Sequence, residues 1–425
     1  MKPVKALKSL VNQDYLFSVF SKMVGVALAV IYSAFYNRYL GTVLKGDAAI
    51  ISNYISLISS FTAMGMYQAY PFYKKKEKDV FYPFVNNMTS LYFLMTLSCL
   101  LLTFLLPVNW NLKIAVAIVP IQSYIRQINY VVMVDVPRRR NISSMVISIL
   151  DLVVVLAFFV LSEATYGHLV AILLIQNIVC LVISYCNLKV DFKKCRFDLS
   201  RVPQFFGYGI LPMITLLLMT LNYRVDILML EILGISKAEI GIYSVGVALA
   251  EKIWLVPDAI KDILMSRLTN GAGTAEVARV TRASLALSLG MLVLAIIFGR
   301  PAIWLLYGVE FRSAYEILII MLAGVIGMIF YKMVYAYNVV NGKRVINLIF
   351  LAGAAVANII GNFVLIPIGG IFAAAWASVI SYLICGISFL VYFHHAVGMK
   401  YSDMLFMKKE DIRSVFRAVI RKEKS

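Results

Sequence analysis

Apolar runs of roughly 20 residues, each closed by a short polar or glycine-containing segment, recur along the whole chain. A helix rises about 1.5 Å per residue, so a run of this length crosses a hydrocarbon core of about 30 Å. Twelve runs are found, near residues 15–37, 48–70, 88–106, 112–134, 142–162, 168–188, 207–230, 241–260, 281–299, 314–338, 346–366 and 371–394. The pattern predicts an all-α integral membrane protein of about twelve transmembrane helices. A soluble helical bundle would need a charged face on each helix, and residues 91–106 carry no charge at all.

Composition agrees, with 61% hydrophobic and 15% charged residues, where soluble domains carry about 25% charged residues. The net charge of +18 would suit nucleic acid, but its distribution points to topology. With both ends inside, 29 of the 40 Lys and Arg fall on cytoplasmic segments, among them Lys74, Lys75, Lys76, Arg138, Arg139, Arg140, Lys261 and eight in residues 400–425. The opposite side holds only Arg38, Lys45, Lys113, Lys237, Arg300 and Arg312. The positive-inside rule therefore places both termini in the cytoplasm, and no nucleic-acid partner is implied. The first apolar run is longer than a signal-peptide core and reads as a retained span. None of the five cysteines is placed to pair in an oxidising compartment, so no disulfide framework is expected.

Three segments organise the chain: a six-helix half over 1–198, a second over 199–400, and a basic amphipathic tail over 401–425. Leu40-Gly41 follows the first span as Leu233-Gly234 follows the seventh, and Tyr130 precedes Arg138 by the interval that separates Tyr335 from Lys343. Six is even, so two such halves run in the same direction through the membrane as a parallel repeat. In the tail, Ile412, Val415, Phe416, Val419 and Ile420 form one face beside a row of Arg413, Arg417 and Arg421. Such a helix lies on anionic lipid headgroups.

Outer loops are short, the longest covering about 299–313, so function has to lie within the membrane. Five cations are predicted inside spans: Lys22, Arg126, Arg224, Lys252 and Lys332. Charges there are costly and mark sites. Lys22, Arg126, Lys252 and Lys332 lie at roughly 9–12 Å from the cytoplasmic ends of their helices, and Arg224 lies nearer the outer side. If those helices face one another they form a cationic chamber for an anion such as a pyrophosphate, with arginine able to grip it bidentately. Snorkelling of Lys22 and Lys332 to the headgroups is the competing reading. Asp151 falls at nearly the depth of Arg126 and is expected either to pair with it or to act as a proton-coupling carboxylate. Arg224 and Asp226 diverge by about 200° around their helix, and Glu251 and Lys252 by about 100°, so each seeks a partner on another helix or faces the cavity.

Catalytic signatures are missing. The three histidines, His168, His394 and His395, sit near span ends, no His/Cys cluster has metal-ligand spacing, and no glycine-rich phosphate loop occurs. The chain is expected to be a transporter, not an enzyme, without a cofactor.

Several segments resemble the polysaccharide-lipid flippases of the multidrug/oligosaccharidyl-lipid/polysaccharide (MOP) superfamily, the Wzx-type O-antigen transporters. They are Asn222-Tyr223-Arg224-Val225-Asp226, Gly241-Ile242-Tyr243-Ser244, Ala250-Glu251-Lys252 with Pro257, Leu306-Tyr307-Gly308, Asn358 with Asn362, and Leu365-Ile366-Pro367-Ile368-Gly369-Gly370. In the first half Arg38-Tyr39-Leu40-Gly41 with Gly46 and Gly65 is similar, while Asp47-Ala48 departs from the pattern. The resemblance implies a MATE-like fold in a bacterial inner membrane. It also implies transfer of an undecaprenyl-pyrophosphate-linked oligosaccharide to the outer leaflet, with H+ or Na+ as the coupling ion. A cation-coupled multidrug antiporter of the same superfamily is the alternative, and it would favour cavity acids over five intramembrane cations.

Overall fold

In a computed structural model, residues 2–77, 79–105, 107–408 and 411 are described, with side chains from Phe17 and, without a gap, from Phe20 onward. The amphipathic tail face expected over Ile412–Ile420, with Arg413, Arg417 and Arg421, lies outside these residues. Among the described residues every regular element is helical: α1 Lys2–Thr62, α2 Ala69–Lys76, α3 Phe81–Leu105, α4 Trp110–Asp135, α5 Pro137–Leu161, α6 Tyr166–Leu188, α7 Val202–Ile232, α8 Lys237–Ile253, α9 Leu255–Thr269, α10 Thr274–Tyr307, α11 Ala314–Val340, α12 Arg344–Val397 and the short α13 Tyr401–Leu405.

By length and apolarity, nine stretches among the described residues can cross a membrane. Two of these are double crossings. α1 breaks at Gly41, with φ 63°, and α12 reverses at Gly369 and Gly370, the latter with φ 55°. A side chain rarely adopts these positive φ values, which is why glycine occupies both turns. α4 is a further crossing that apolarity alone misses, because Asn111, Gln122, Arg126 and Gln127 lower its hydropathy. Twelve crossings result, an all-α integral membrane fold as the hydrophobic pattern predicts.

The chain divides into two compact units, Met1–Thr220 and Leu221–Ser425. In the first, α4 runs through the middle, packed on α1, α3, α5 and α6. In the second, α11 takes that place, packed on α8, α9, α10 and α12 and buried along most of its length. Each is the fourth crossing of its predicted half.

The second crossing of each unit differs from the continuous helices expected over 48–70 and 241–260. In the first unit α1 ends at Thr62, and α2 starts at Ala69 after a turn and a single 3-10 turn, Met66–Gln68. In the second unit α8 stops at Ile253 and α9 restarts at Leu255, leaving Trp254 as the joint. Proline is the third residue of the new helix in both, Pro71 in α2 and Pro257 in α9. Lacking an N–H, a proline cannot continue the ladder through the break but fits the first turn, where donors go unused.

At the break in the first unit, neighbouring helices meet the freed carbonyls. Tyr92 donates to Thr62 O at 3.0 Å, and Gln127 donates to Ala63 O at 2.8 Å and to the Tyr92 hydroxyl at 3.0 Å. Met64 and Gly65 both take left-handed backbone, at φ 51° and 59°. Non-helical backbone at membrane depth is tolerated only with such internal partners.

Candidate substrate site

In the second unit the break gathers charge and aromatic surface. Lys332 projects from α11, is 4% exposed, and donates to Asp258 Oδ2 at 2.6 Å. Its ammonium also stands 5.2 Å from the centre of the Trp254 ring, a cation–π contact. Lys261, one turn along α9, donates to the other oxygen of Asp258 at 3.3 Å and lies 3.9 Å from Asp262. One carboxylate thus bridges two lysines at the joint of a broken crossing.

Above the joint, Arg224 on α7 pairs with Glu251 on α8 at 3.1 Å. Tyr223, Trp254 and Tyr382 pack as a three-ring cluster with centroids 5.1–6.0 Å apart. Glu251 Oε1, the Trp254 indole nitrogen and the Tyr382 hydroxyl are buried without a hydrogen-bond partner. Buried polar atoms are normally satisfied, so these three leave polar capacity open beside the joint.

Asp226, 1% exposed, belongs to a separate network. Tyr243 donates to its Oδ2 at 2.5 Å, the Ile227 N–H to its Oδ1 at 2.9 Å, and Ser378 at 3.4 Å. One turn away Asn358 donates to the Asn222 carbonyl at 2.7 Å, Ser381 to the Asn222 side chain at 2.6 Å, and Asn362 to the Asn358 carbonyl at 2.9 Å. Arg224 and Asp226 leave α7 in different directions and find different partners, as their offset around the helix requires.

In the first unit the expected Arg126–Asp151 ion pair is not formed. Arg126 Nη1 and Asp151 Oδ1 are each buried without a hydrogen-bond partner. Equal depth on adjacent helices does not set rotation about the helix axes. On α4 it is the neighbouring Gln127 that meets the break. Lys22 and Lys252 are exposed, and like Arg126 they have no carboxylate partner among the described residues. Lys332 is buried and paired, so it does not snorkel. Within the second unit the structure therefore gathers Arg224, Glu251 and Lys332 around one joint and sets Asp226 in its own network, while Lys22 and Arg126 belong to the first unit.

Asp258, Trp254 and Gln127 were not singled out by the sequence, and Lys261 was read only as a cytoplasmic charge. Asp258 and Lys261 sit at the edge of a predicted span, where charge is ordinary, and the one pointer to them was Pro257, next to Asp258.

No family model matches the chain, and no curated protein matches it. Solved structures do. A structure of the lipid II flippase MurJ in an inward closed conformation superposes with TM-score 0.72 at 15% identity, over 92% of this chain and 89% of that one. An inward-facing multidrug resistance MATE family transporter of the MOP superfamily gives TM-score 0.62 at 10% identity, over 90% and 94%. A Vibrio cholerae MATE transporter gives 0.57 at 13% identity, over 95% and 100%. The chain has the fold of the MOP-superfamily transporters.

Proposed function

We propose that the protein is a flippase of the bacterial inner membrane, with both termini cytoplasmic. It moves an undecaprenyl-pyrophosphate-linked oligosaccharide repeat unit, of O-antigen or another surface polysaccharide, from the inner to the outer leaflet by alternating access. It makes and breaks no covalent bond. Arg126 carries this reading: a guanidinium within the α4 crossing, with a buried nitrogen that has no partner. Ions inside a membrane are normally paired, so a cation left open calls for an anion from outside the chain. In the first unit Lys22 is also without a carboxylate among the described residues; in the second, Lys252 is likewise open, and Arg224 and Lys332 are held by carboxylates that a phosphate would compete with. A guanidinium holds a phosphate bidentately, while the prenyl tail stays in lipid.

An anion leaving an inside-negative cell moves downhill. Two uncompensated charges across about 100 mV gain about 4–5 kcal/mol. Asp226 and Asp151 supply carboxylates for a coupling H+ or Na+. They also favour a second reading, a cation-coupled multidrug antiporter, because a buried acid without a cation partner attracts a positive substrate as well as a coupling ion.

Purified protein in liposomes, loaded with a fluorescent pyrophosphate-linked glycolipid and separately with a lipophilic cationic dye, distinguishes the two. The flippase reading expects glycolipid flipping that falls at least about tenfold in Arg126→Ala, with the protein still folded. Flipping at the wild-type rate in that variant, or dye exchange without glycolipid flipping, overturns it.

A further inference from the structure

Resting on the flippase reading, the geometry points to Asp258 as an internal stand-in for the substrate's phosphate: it occupies the Lys332–Lys261 pair in the empty carrier and is displaced when a lipid-linked phosphate arrives.

The two ends of the pair are held very differently. The Lys332 side chain is 6% exposed on the enclosed α11, pressed against the Trp254 ring, whereas the Asp258 side chain is 42% exposed in the first turn of α9. The cation is fixed and the carboxylate stands on the open side. Its two oxygens address two ammonium groups, at 2.6 and 3.3 Å, as two oxygens of one phosphate would. Lysine has three donors and Lys332 spends one on Asp258, so an incoming oxyanion can engage before the carboxylate leaves.

The first unit shows what a purely structural residue does at the corresponding place. The interval that relates Tyr130 to Tyr335 relates Gln127 to Lys332, and each reaches from the fourth crossing of its half toward a broken second crossing. Gln127 is neutral and spends its donors on Ala63 O and the Tyr92 hydroxyl. Lys332 instead addresses a side chain that can swing away. A carrier returning without cargo would otherwise carry an uncompensated buried ammonium, which is costly in a membrane. The internal carboxylate lets the empty form return with the buried Lys332 ammonium compensated.

The test measures binding of undecaprenyl pyrophosphate to the purified full chain in neutral-lipid nanodiscs, beside thermal stability and flipping rate. Asp258→Asn is expected to bind at least about tenfold more tightly than wild type and to turn over more slowly. Asp258→Glu, which keeps the competing charge, should bind as wild type does, and Lys332→Met should lose binding. Asp258→Ser serves as the charge-free variant if Asn lowers abundance. Unchanged or weaker binding in folded, charge-free variants overturns this inference and leaves the flippase reading standing. No binding by wild type or any variant overturns the flippase reading itself.

Discussion

Gln127 on α4 holds the carbonyl of Ala63 at 2.8 Å, at the point where the second crossing of the first unit comes apart. With Tyr92 on Thr62 O, it supplies side-chain donors to the carbonyls at the interruption. Joints of this kind can sit inside a membrane only because neighbouring helices replace the hydrogen bonds that water would otherwise supply.

Gln127→Leu is therefore expected to destabilise the protein by about 1 kcal/mol, the net worth of a buried hydrogen bond, since Ala63 O keeps only the 3.3 Å bond from the Met66 N–H. A lowered melting temperature in detergent is the outcome to look for, with a loss at least as large in Gln127→Glu, whose carboxylate cannot donate to Ala63 O. A melting temperature equal to wild type would remove the capping role.

Gly65 and Gly209 touch backbone to backbone within the first unit. A Cβ at Gly65 would lie 2.2 Å from Gly209 O, and one at Gly209 would lie 2.2 Å from Met64 O. Neither obstacle is a side chain that can turn aside. Gly65 also has φ 59°, where a Cβ costs roughly 1–2 kcal/mol more. Gly65→Ala and Gly209→Ala should each lower membrane abundance or transport severely, while Gly353→Ala, with open space around it, should leave both unchanged. Normal transport in Gly209→Ala would show that the helices need not approach so closely.

Arg224 and Lys252 should respond differently to removal of their charge. Arg224→Ala strands Glu251 and is expected to reduce the amount of folded protein, with the double neutral variant Arg224→Gln/Glu251→Gln recovering abundance but not glycan export. Lys252→Ala, exposed and without a carboxylate partner, should keep abundance and lower export. Quantifying membrane protein beside exported glycan separates the effects. Full export in both Arg224→Ala and Lys252→Ala would sink the cationic substrate site.

The segment after α12 is clasped to α10. Arg282 donates to both oxygens of Asp411, at 2.6 and 2.9 Å, and also to the Asp403 carbonyl. Those bonds from Arg282 hold the Asp411 carboxyl below its usual range. A depressed pKa in the folded state means that the clasp contributes above the ordinary value of about 3.9 and is lost as pH falls through the lower one. A spin label at Ser402, which is exposed, should stay immobile from about pH 5 to 8 and loosen only in acid below the ordinary carboxyl value. In Arg282→Gln it should be mobile throughout. A transition between pH 5 and 8 would place control in another group.

Transfer of apolar side chains out of water is a local quantity, which is why the twelve crossings, their turns at Gly41 and Gly370, and the membrane setting could be read residue by residue. Depth was legible for the same reason, since rise per residue is constant. Direction was not. Whether Arg126 meets Asp151, or Lys332 meets the headgroups, depends on how each helix is rotated and on which neighbour covers it, and neither is encoded within one span. Asp258 shows the limit most clearly: read along the chain it is an acid at the end of an apolar run. Only the break at Trp254 and the approach of α11 bring it to Lys332, because an ion pair between residues 74 positions apart is made by packing of helices and not by the periodicity of either.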